Sequence, residues 1–222
     1  MNKLSHVAFI MDGNGRWGKI RKKGRNFGHL NGVKTVKKIV ESSIKLKIPV
    51  VTFYVFSTEN WNRPKSEIRF LFQLIIIYFK QELNRVISNG IKINILGKMN
   101  SLPNKIRMPL KNVIKMTKKN KKIIVNLAIN YGSKHEIVNA AKKIKKKISL
   151  QSLEKNLYTN KLPNPDILIR TGGHKRLSNF MLWQLAYAEI YFLDKLWPDF
   201  SSKDLKRIIN NFKKIKRNFG AI

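Results

Sequence analysis

Short apolar runs rich in β-branched and aromatic residues, at 6–11, 50–56, 91–96, 123–129, 167–169 and 190–192, alternate along this chain with longer stretches of helical spacing at 33–48, 64–87, 106–119, 135–148 and 205–219. A helix between two strands is a crossover, and crossovers return each new strand parallel to the last, with helices packed over the sheet faces. The expected fold is therefore α/β: a central, mostly parallel six-stranded sheet flanked by helices. No internal repeat or linker interrupts the 222 residues, so a single domain over 1–222 is expected.

Sheets of this kind bind ligands beyond the carboxyl ends of their strands. The polar clusters of the sequence fall there: 12–16 after the first strand, 57–63 after the second, and 170–178 after the fifth. Their common position predicts one composite site.

The first cluster imitates two known patterns. Gly13, Gly15 and Gly18 fit the dinucleotide fingerprint, and Gly13 to Lys19 fits the opening of a phosphate-binding loop. The second pattern needs Ser or Thr after the lysine, where Ile20 stands. The first needs an acidic residue closing the second strand, where Ser57 stands. What both share survives: glycines that expose backbone N–H groups near a helix start, a good place for an anion. Arg16, Arg25 and His29 add cationic donors. Asp12 repels a bare phosphate, a conflict that a divalent cation bridging carboxylate and diphosphate resolves.

In the second cluster, Arg63 offers a phosphate contact, while Glu59, Asn60 and Trp61 offer groups to shape an organic substrate. A polar loop with Trp61 tucked into the core is the plainer alternative. In the third, Arg170, Arg176 and the Ser178 hydroxyl offer bidentate grips on a second diphosphate. Pro64 suits the first position of the helix that follows it. That helix is apolar on nearly every face between 68 and 79, as in a helix buried all round or one lining an apolar cavity.

The 46 Lys and Arg against 12 Asp and Glu give a formal charge of +34, which attracts nucleic acid, anionic lipid or phosphorylated substrates alike. Lys, Asn and Ile dominate together, in tracts such as 118–124 and 142–147, as an AT-rich coding bias would produce. With no cysteine, disulfides and thiolate chemistry are excluded, and the chain suits a reducing cytoplasm. The apolar runs at 6–11 and 70–79 are too short to span a bilayer, and the first does not have the form of a signal peptide. A cytoplasmic protein that touches a membrane surface is expected.

The blocks MDGNGRW, FSTENWNRP, IRTGGHKRLSNF, AEIYF and LWPDF resemble the signature blocks of the cis-prenyltransferases in order and spacing, from about residue 6 to 220. The resemblance is nearest to the bacterial undecaprenyl diphosphate synthase group. It implies a homodimer of parallel-sheet subunits, each with an apolar tunnel, that condenses isopentenyl diphosphate onto an allylic diphosphate with Mg2+. It further implies that Asp12 is catalytic and a metal ligand, that Asn60 is the proton acceptor, and that Glu189 is a second metal position. Gly13, Asn14, Gly15, Arg16, Trp17, Arg25 and His29 would bind the allylic diphosphate. Ser57, Thr58, Glu59, Trp61 and Arg63 would contact substrate, and Arg170, Arg176, Leu177 and Ser178 would hold isopentenyl diphosphate. Because a neutral amide is a poor base, a diphosphate oxygen or Asp12 stays open as the acceptor. The tunnel would be lined by 70–79 and by inward residues of 91–96 and 123–129.

One departure concerns His174 and Lys175, where many members carry Glu followed by His or Gln. A protonated Lys175 cannot ligate a metal, and His174 is left to replace it. A basic nucleic-acid-binding protein is the rival from another class, but it leaves Asp12, Glu59 and Glu189 unexplained, so no specific nucleic acid is expected. A non-catalytic supporting subunit is opposed by the intact Asp12, Asn60 and Arg176.

Overall fold

The computed structural model describes residues 2–145 and 147–217. Its strands are β1 (His6–Ile10), β2 (Val50–Ser57), β3 (Ile91–Leu96), β4 (Ile123–Tyr131), β5 (Ile167–Arg170) and β6 (Glu189–Phe192). Its helices are α1 (Asn14–Ile20), α2 (Gly24–Lys45), α3 (Lys65–Ser88), α4 (Asn104–Thr117), α5 (Ser133–Lys142), α6 (Leu150–Glu154) and α7 (Ser202–Lys214). The six strands form one sheet in the order β3-β4-β2-β1-β5-β6, and every pairing is parallel.

The expected α/β architecture is thus present, with shifted boundaries. α1 and α6 are additional to the helices read from sequence, and α2 begins nine residues before the expected start at 33. Pro64 caps α3 instead of opening it. α7 ends at Lys214. Phe219, where that helix was expected to end, lies outside the described residues, as do Gly220 and Lys146 of the lysine tract.

Alternate residues of each strand face opposite sides of the sheet. One side carries Val7, Phe9, Val51, Phe53, Ile93, Val125, Leu127, Ile167 and Ile169, and against it pack buried residues of α2, α3, α4 and α7. α7 illustrates the local logic. Leu205, Ile208, Ile209 and Phe212 recur at helical spacing and are all buried, and Ser201 and Asp204 cap the helix start reciprocally. Burying each such side chain contributes at most about 2–3 kcal/mol. The other side of the sheet, with Ala8, Ile10, Leu96, Ala128 and Leu168, is covered by Phe180, Met181 and Leu185 from the loop before β6.

Between α2, α3 and the larger face of the sheet lies an apolar cavity of about 130 Å3. α3 lines it with Leu71, Leu74, Ile75, Tyr78 and Phe79, β3 with Ile91 and Ile93, and β4 with Val125 and Leu127. These fall within the three segments expected to line a tunnel. Val33, Val36 and Val40 of α2 complete the wall and were not anticipated. Nor is α3 buried on every face: Ile77 is 42% exposed.

A polar ladder crosses the smaller face. The Pro163 carbonyl lies 2.8 Å from His6 Nδ1, which must therefore carry the proton, leaving Nε2 to accept from the Thr52 hydroxyl at 2.7 Å. Thr52 accepts in turn from Asn126 Nδ2, and Asn126 Oδ1 from Asn94 Nδ2, so the chain of bonds spans β1, β2, β4 and β3. His6 is fully buried, and burial lowers its pKa to about 4, against smaller opposing contributions from the Pro163 bond and Asp166. In the unfolded chain the imidazole titrates near 6.5. Stability is therefore complete above about pH 6.5 and declines as pH falls toward 4, by about 3 kcal/mol from this group. Urea unfolding at a series of pH values should show this slope in the native chain and its loss in His6→Asn. Equal slopes in the two proteins would refute the assignment.

Candidate active site

β1 runs straight into the first cluster. Gly13 caps α1 at φ 105°, and a side chain there would strike Leu196. Gly28 lets α2 lie directly on α1: a Cβ at this position would sit 1.8 Å from the Asn14 carbonyl. The turn holds Asp12 by its backbone, whose carbonyl accepts from Trp197 N–H and from the Thr171 hydroxyl.

The Asp12 carboxylate joins two of the three clusters. Its Oδ2 accepts from Arg170 Nη2 at 3.0 Å, and its Oδ1 lies 3.4 Å from Arg16 Nη2. Arg16 also donates to the Gly172 carbonyl at 2.6 Å. The Arg170 side chain is only 3% exposed, so its charge needs the Asp12 partner, whose own side chain remains 29% exposed toward the cleft. Arg170 Nη1 donates to Ser178 Oγ at 2.8 Å and to the Arg176 carbonyl, which shapes the 170–178 loop around the guanidinium.

Glu67, in the first turn of α3, gathers the other cations. Arg25 grips it with two bonds, at 3.1 and 3.0 Å, and Arg63 Nη1 donates to it at 3.1 Å. His29 Nε2 lies 3.4 Å from the same carboxylate without hydrogen-bond alignment. Burial raises the Glu67 pKa, but the hydrogen bond from Arg25 and the charges of Arg25, Arg63 and His29 outweigh it and hold the carboxyl below its usual range. Burial pushes the His29 imidazole down; Glu67 pulls it up, while Arg63 and Arg25 add to the lowering.

The second cluster follows a bulge in β2 between Tyr54 and Ser57, an irregularity common beside functional sites. It turns through a 3-10 helix, Thr58–Asn62, in which Ser57 N–H donates to Asn60 Oδ1 at 3.1 Å. Asn179 donates to Glu59 Oε1 at 2.7 Å. Burial raises the Glu59 pKa, but the bonds from Asn179, the Glu59 backbone, Ser57 and Thr58 prevail and keep it ionised.

These elements enclose a polar cleft of about 630 Å3. Of the residues predicted from sequence, Asp12, Asn14, His29, Ser57, Glu59, Asn60, Arg63, Arg170, Arg176 and Ser178 line it. Gly13, Gly15 and Arg16 are not in its lining but stand next to the lining residues Asp12 and Asn14, in α1 and the preceding turn, and Arg25 reaches the lining residue Arg63 only through Glu67. His174 also lines the cleft. Arg176 makes no ion pair among the described residues, which leaves its charge for a ligand.

Four predicted residues fall elsewhere. Thr58 and Trp61 line a neighbouring pocket, where Trp61 donates to Asn130 and packs on Phe56 and Phe72. Trp17 donates to Asp199 and stacks on Phe27, and Leu177 packs into the smaller core. Glu189 is a fifth displacement, and it concerns the metal. It opens β6 beside Ile167, whereas Asp12 follows Ile10, which pairs with Arg170 at the far end of β5. Three residues of strand, about 10 Å, separate the two ends, and Glu189 lies 3.8 Å from Arg217 instead. Glu67 and Asn179 were missed. Glu67 had a local signal, four residues after Arg63 on a helix start, but its partnership with Arg25 spans 42 positions.

The cleft and the apolar cavity adjoin: Met11, Asn14, His29, Val55 and Leu71 line both. Asn14 Oδ1, buried and without a hydrogen-bond partner, sits at this junction. The arrangement suits a ligand with an anionic head and a long apolar tail.

Comparison with known proteins leads to the same chemistry. Residues 10–220 match the family model described as "Putative undecaprenyl diphosphate synthase". The isoprenyl transferase of Fusobacterium nucleatum is 43% identical over 100% of this chain and 97% of its own length, and that of Rickettsia prowazekii is 43% identical over 99% of each. Among solved structures, lavandulyl diphosphate synthase from Lavandula x intermedia, in complex with dimethylallyl diphosphate, superposes with a TM-score of 0.93 at 33% identity, covering 97% of this chain and 98% of the other. A structure described as a "probable undecaprenyl diphosphate synthase" from Campylobacter jejuni gives 0.85 at 38%, covering 99% and 100%. With its parallel sheet, its cationic cleft and these relatives, the chain belongs to the undecaprenyl diphosphate synthase family and is a prenyltransferase.

Proposed function

We propose that this prenyltransferase condenses isopentenyl diphosphate units onto an allylic primer, farnesyl diphosphate, to make a long-chain polyprenyl diphosphate such as undecaprenyl diphosphate. Its use would be as a carrier lipid for cell-wall glycans. The observation that carries this reading is the juxtaposition of a cation-lined cleft and an apolar cavity that share Asn14, His29 and Leu71 in their walls. A phosphorylated head and a hydrocarbon tail need such opposite surroundings side by side.

The primer's diphosphate would lie by Asp12, Asn14 and Arg16, close to Arg25 and Arg63, with its tail in the cavity. The isopentenyl diphosphate would be gripped by Arg170, Arg176 and Ser178. The isopentenyl double bond attacks C1 of the primer, the C1–O bond breaks, and diphosphate departs. Loss of a proton then creates the new cis double bond. Arg16, Arg63 and Arg170 are placed beforehand to stabilise the charge that develops on the departing group. Asn60 is a weak base whose amide oxygen already accepts Ser57 N–H, so it orients the loop, and a diphosphate oxygen takes the proton.

The donor set fits Mg2+. This ion keeps several waters and takes phosphate oxygens beside one or two carboxylates, and Asp12 presents one partly exposed carboxylate in the cleft. Among the described residues no group of three His, Cys, Asp or Glu forms a cage, and Glu59, His29 and His174 are the further donors in the cleft lining. Bound there, the ion would neutralise the departing diphosphate. No helix among the described residues is long and apolar enough to cross a membrane. A homodimer that releases product by peripheral contact with a membrane, in the cytoplasm, completes the proposal.

The test is incubation with farnesyl diphosphate, labelled isopentenyl diphosphate and Mg2+, followed by solvent extraction and chain-length analysis. Labelled product in the organic phase is expected; its absence, with salt-sensitive DNA binding in its place, would refute the reading. Asp12→Ala should reduce turnover at least about 1,000-fold with an unchanged circular dichroism spectrum. Glu67→Gln frees Arg25 and Arg63 and should raise KM for the primer roughly tenfold, with a smaller effect on kcat. Ile75→Trp should shorten the product and Phe79→Ala lengthen it, both residues being in the cavity wall.

A further inference from the structure

α2 and α3 run side by side along the apolar cavity and are bridged by charge at both ends. At the cleft end the bridge is Arg25–Glu67, described above. At the other end, Lys37 Nζ lies 2.8 Å from Glu82 Oε1 and Arg85 Nη2 lies 2.7 Å from Glu41 Oε1, with Arg85 Nη1 also 3.9 Å from Glu82. From Arg25 to Glu41 the helix rises about 24 Å. Lys37, Glu41, Glu82 and Arg85 surround a small pocket that shares Val40, Tyr78, Val86 and Ile91 with the apolar cavity, so the ionic groups lie directly over its far end. The Tyr78 hydroxyl sits under the same charges: burial raises its pKa, Glu82 and Glu41 raise it further, and Arg85 opposes them.

Two physical facts make this cluster more than surface decoration. The cavity, at about 130 Å3, is smaller than the roughly 300–1,000 Å3 that a drug-sized ligand fills, so a long chain needs α2 and α3 to separate. The far bridge is also the weak one. Its side chains are 25–52% exposed, pairs of that kind contribute little, and salt screens them. The Arg25–Glu67 bridge, on a carboxylate only 10% exposed, is the firmer.

We propose that the Lys37–Glu82 and Glu41–Arg85 pairs form a releasable clasp between α2 and α3 that closes the blind end of the cavity and limits the length of apolar chain it accepts. The inference rests on the proposed seating of the prenyl tail in this cavity. It assigns to four charged residues, none touching the reacting groups, a part in setting product length that apolar wall residues alone do not fill.

Binding of a series of alkyl diphosphates of increasing chain length, measured by calorimetry on the whole protein, tests this without relying on turnover. The native protein should bind up to a limiting length. Glu41→Gln combined with Glu82→Gln should move that limit to longer chains, raising affinity just beyond it about fivefold. High salt should move the native protein in the same direction. Exchanging the charges, with Lys37→Glu and Glu82→Lys together, should restore the native limit, a rescue that general loosening of the fold would not give. A limit unmoved by both the Gln variant and salt overturns the clasp while leaving the tail in the cavity. Affinity independent of chain length in the native protein would remove the tail from the cavity and overturn both proposals.

Discussion

Parallel pairing is the constraint from which the other features follow. A parallel strand cannot return through a tight turn, so all six strands leave the sheet at the same end, and each of the first five feeds a loop there before its crossover. Asp12 after β1, Ser57 to Arg63 after β2 and Thr171 to Ser178 after β5 are therefore neighbours although up to 166 positions apart. β1 sits between β2 and β5, and its loop receives groups from both sides. The same geometry buries both faces of the sheet, and the apolar cavity lies on the larger one, beneath α2 and α3.

Charge is allotted unevenly within this edge. Each of these three carboxylates is committed to particular donors: Asp12 to Arg170 and Arg16, Glu67 to Arg25 and Arg63, Glu59 to Asn179. An arginine held this way keeps one face of its guanidinium fixed while other donors remain for an incoming anion. The organisation lowers the cost of binding a highly charged ligand, because the cations are already ordered before it arrives. The excess of +34 surrounding the site adds attraction at longer range, which screening by salt limits to about 8–10 Å.

The apolar side obeys a different balance. Hydrophobic walls from α2, α3, β3 and β4 meet without filling the space between them, and the charged bridges at either end of the helix pair keep them in register. A helix that is apolar around most of its circumference cannot satisfy all of its faces in one small domain. α3 uses one face for the core, through Ile68 and Phe72, another for the cavity, through Leu71, Ile75 and Phe79, and leaves Ile77 in solvent.

Local pattern determined the succession of the six strands and of the five helices α2, α3, α4, α5 and α7, their parallel sense, and the residues gathered at the strand ends, since periodicity and turn chemistry act within a few positions of the chain. The signature blocks also located nine of the ten predicted residues in the cleft lining, among them Asp12, Arg63, Arg170 and Arg176. Tertiary structure alone decided how those residues are shared out: that Glu67 binds Arg25, that Val33, Val36 and Val40 complete the cavity, that Trp61 and Thr58 turn into a separate pocket, and that Glu189 opens β6 beside Ile167, away from the Asp12 end of the same chain's sheet. These outcomes depend on helix packing and strand register, which fix distances between positions remote in sequence, and no local propensity encodes such distances.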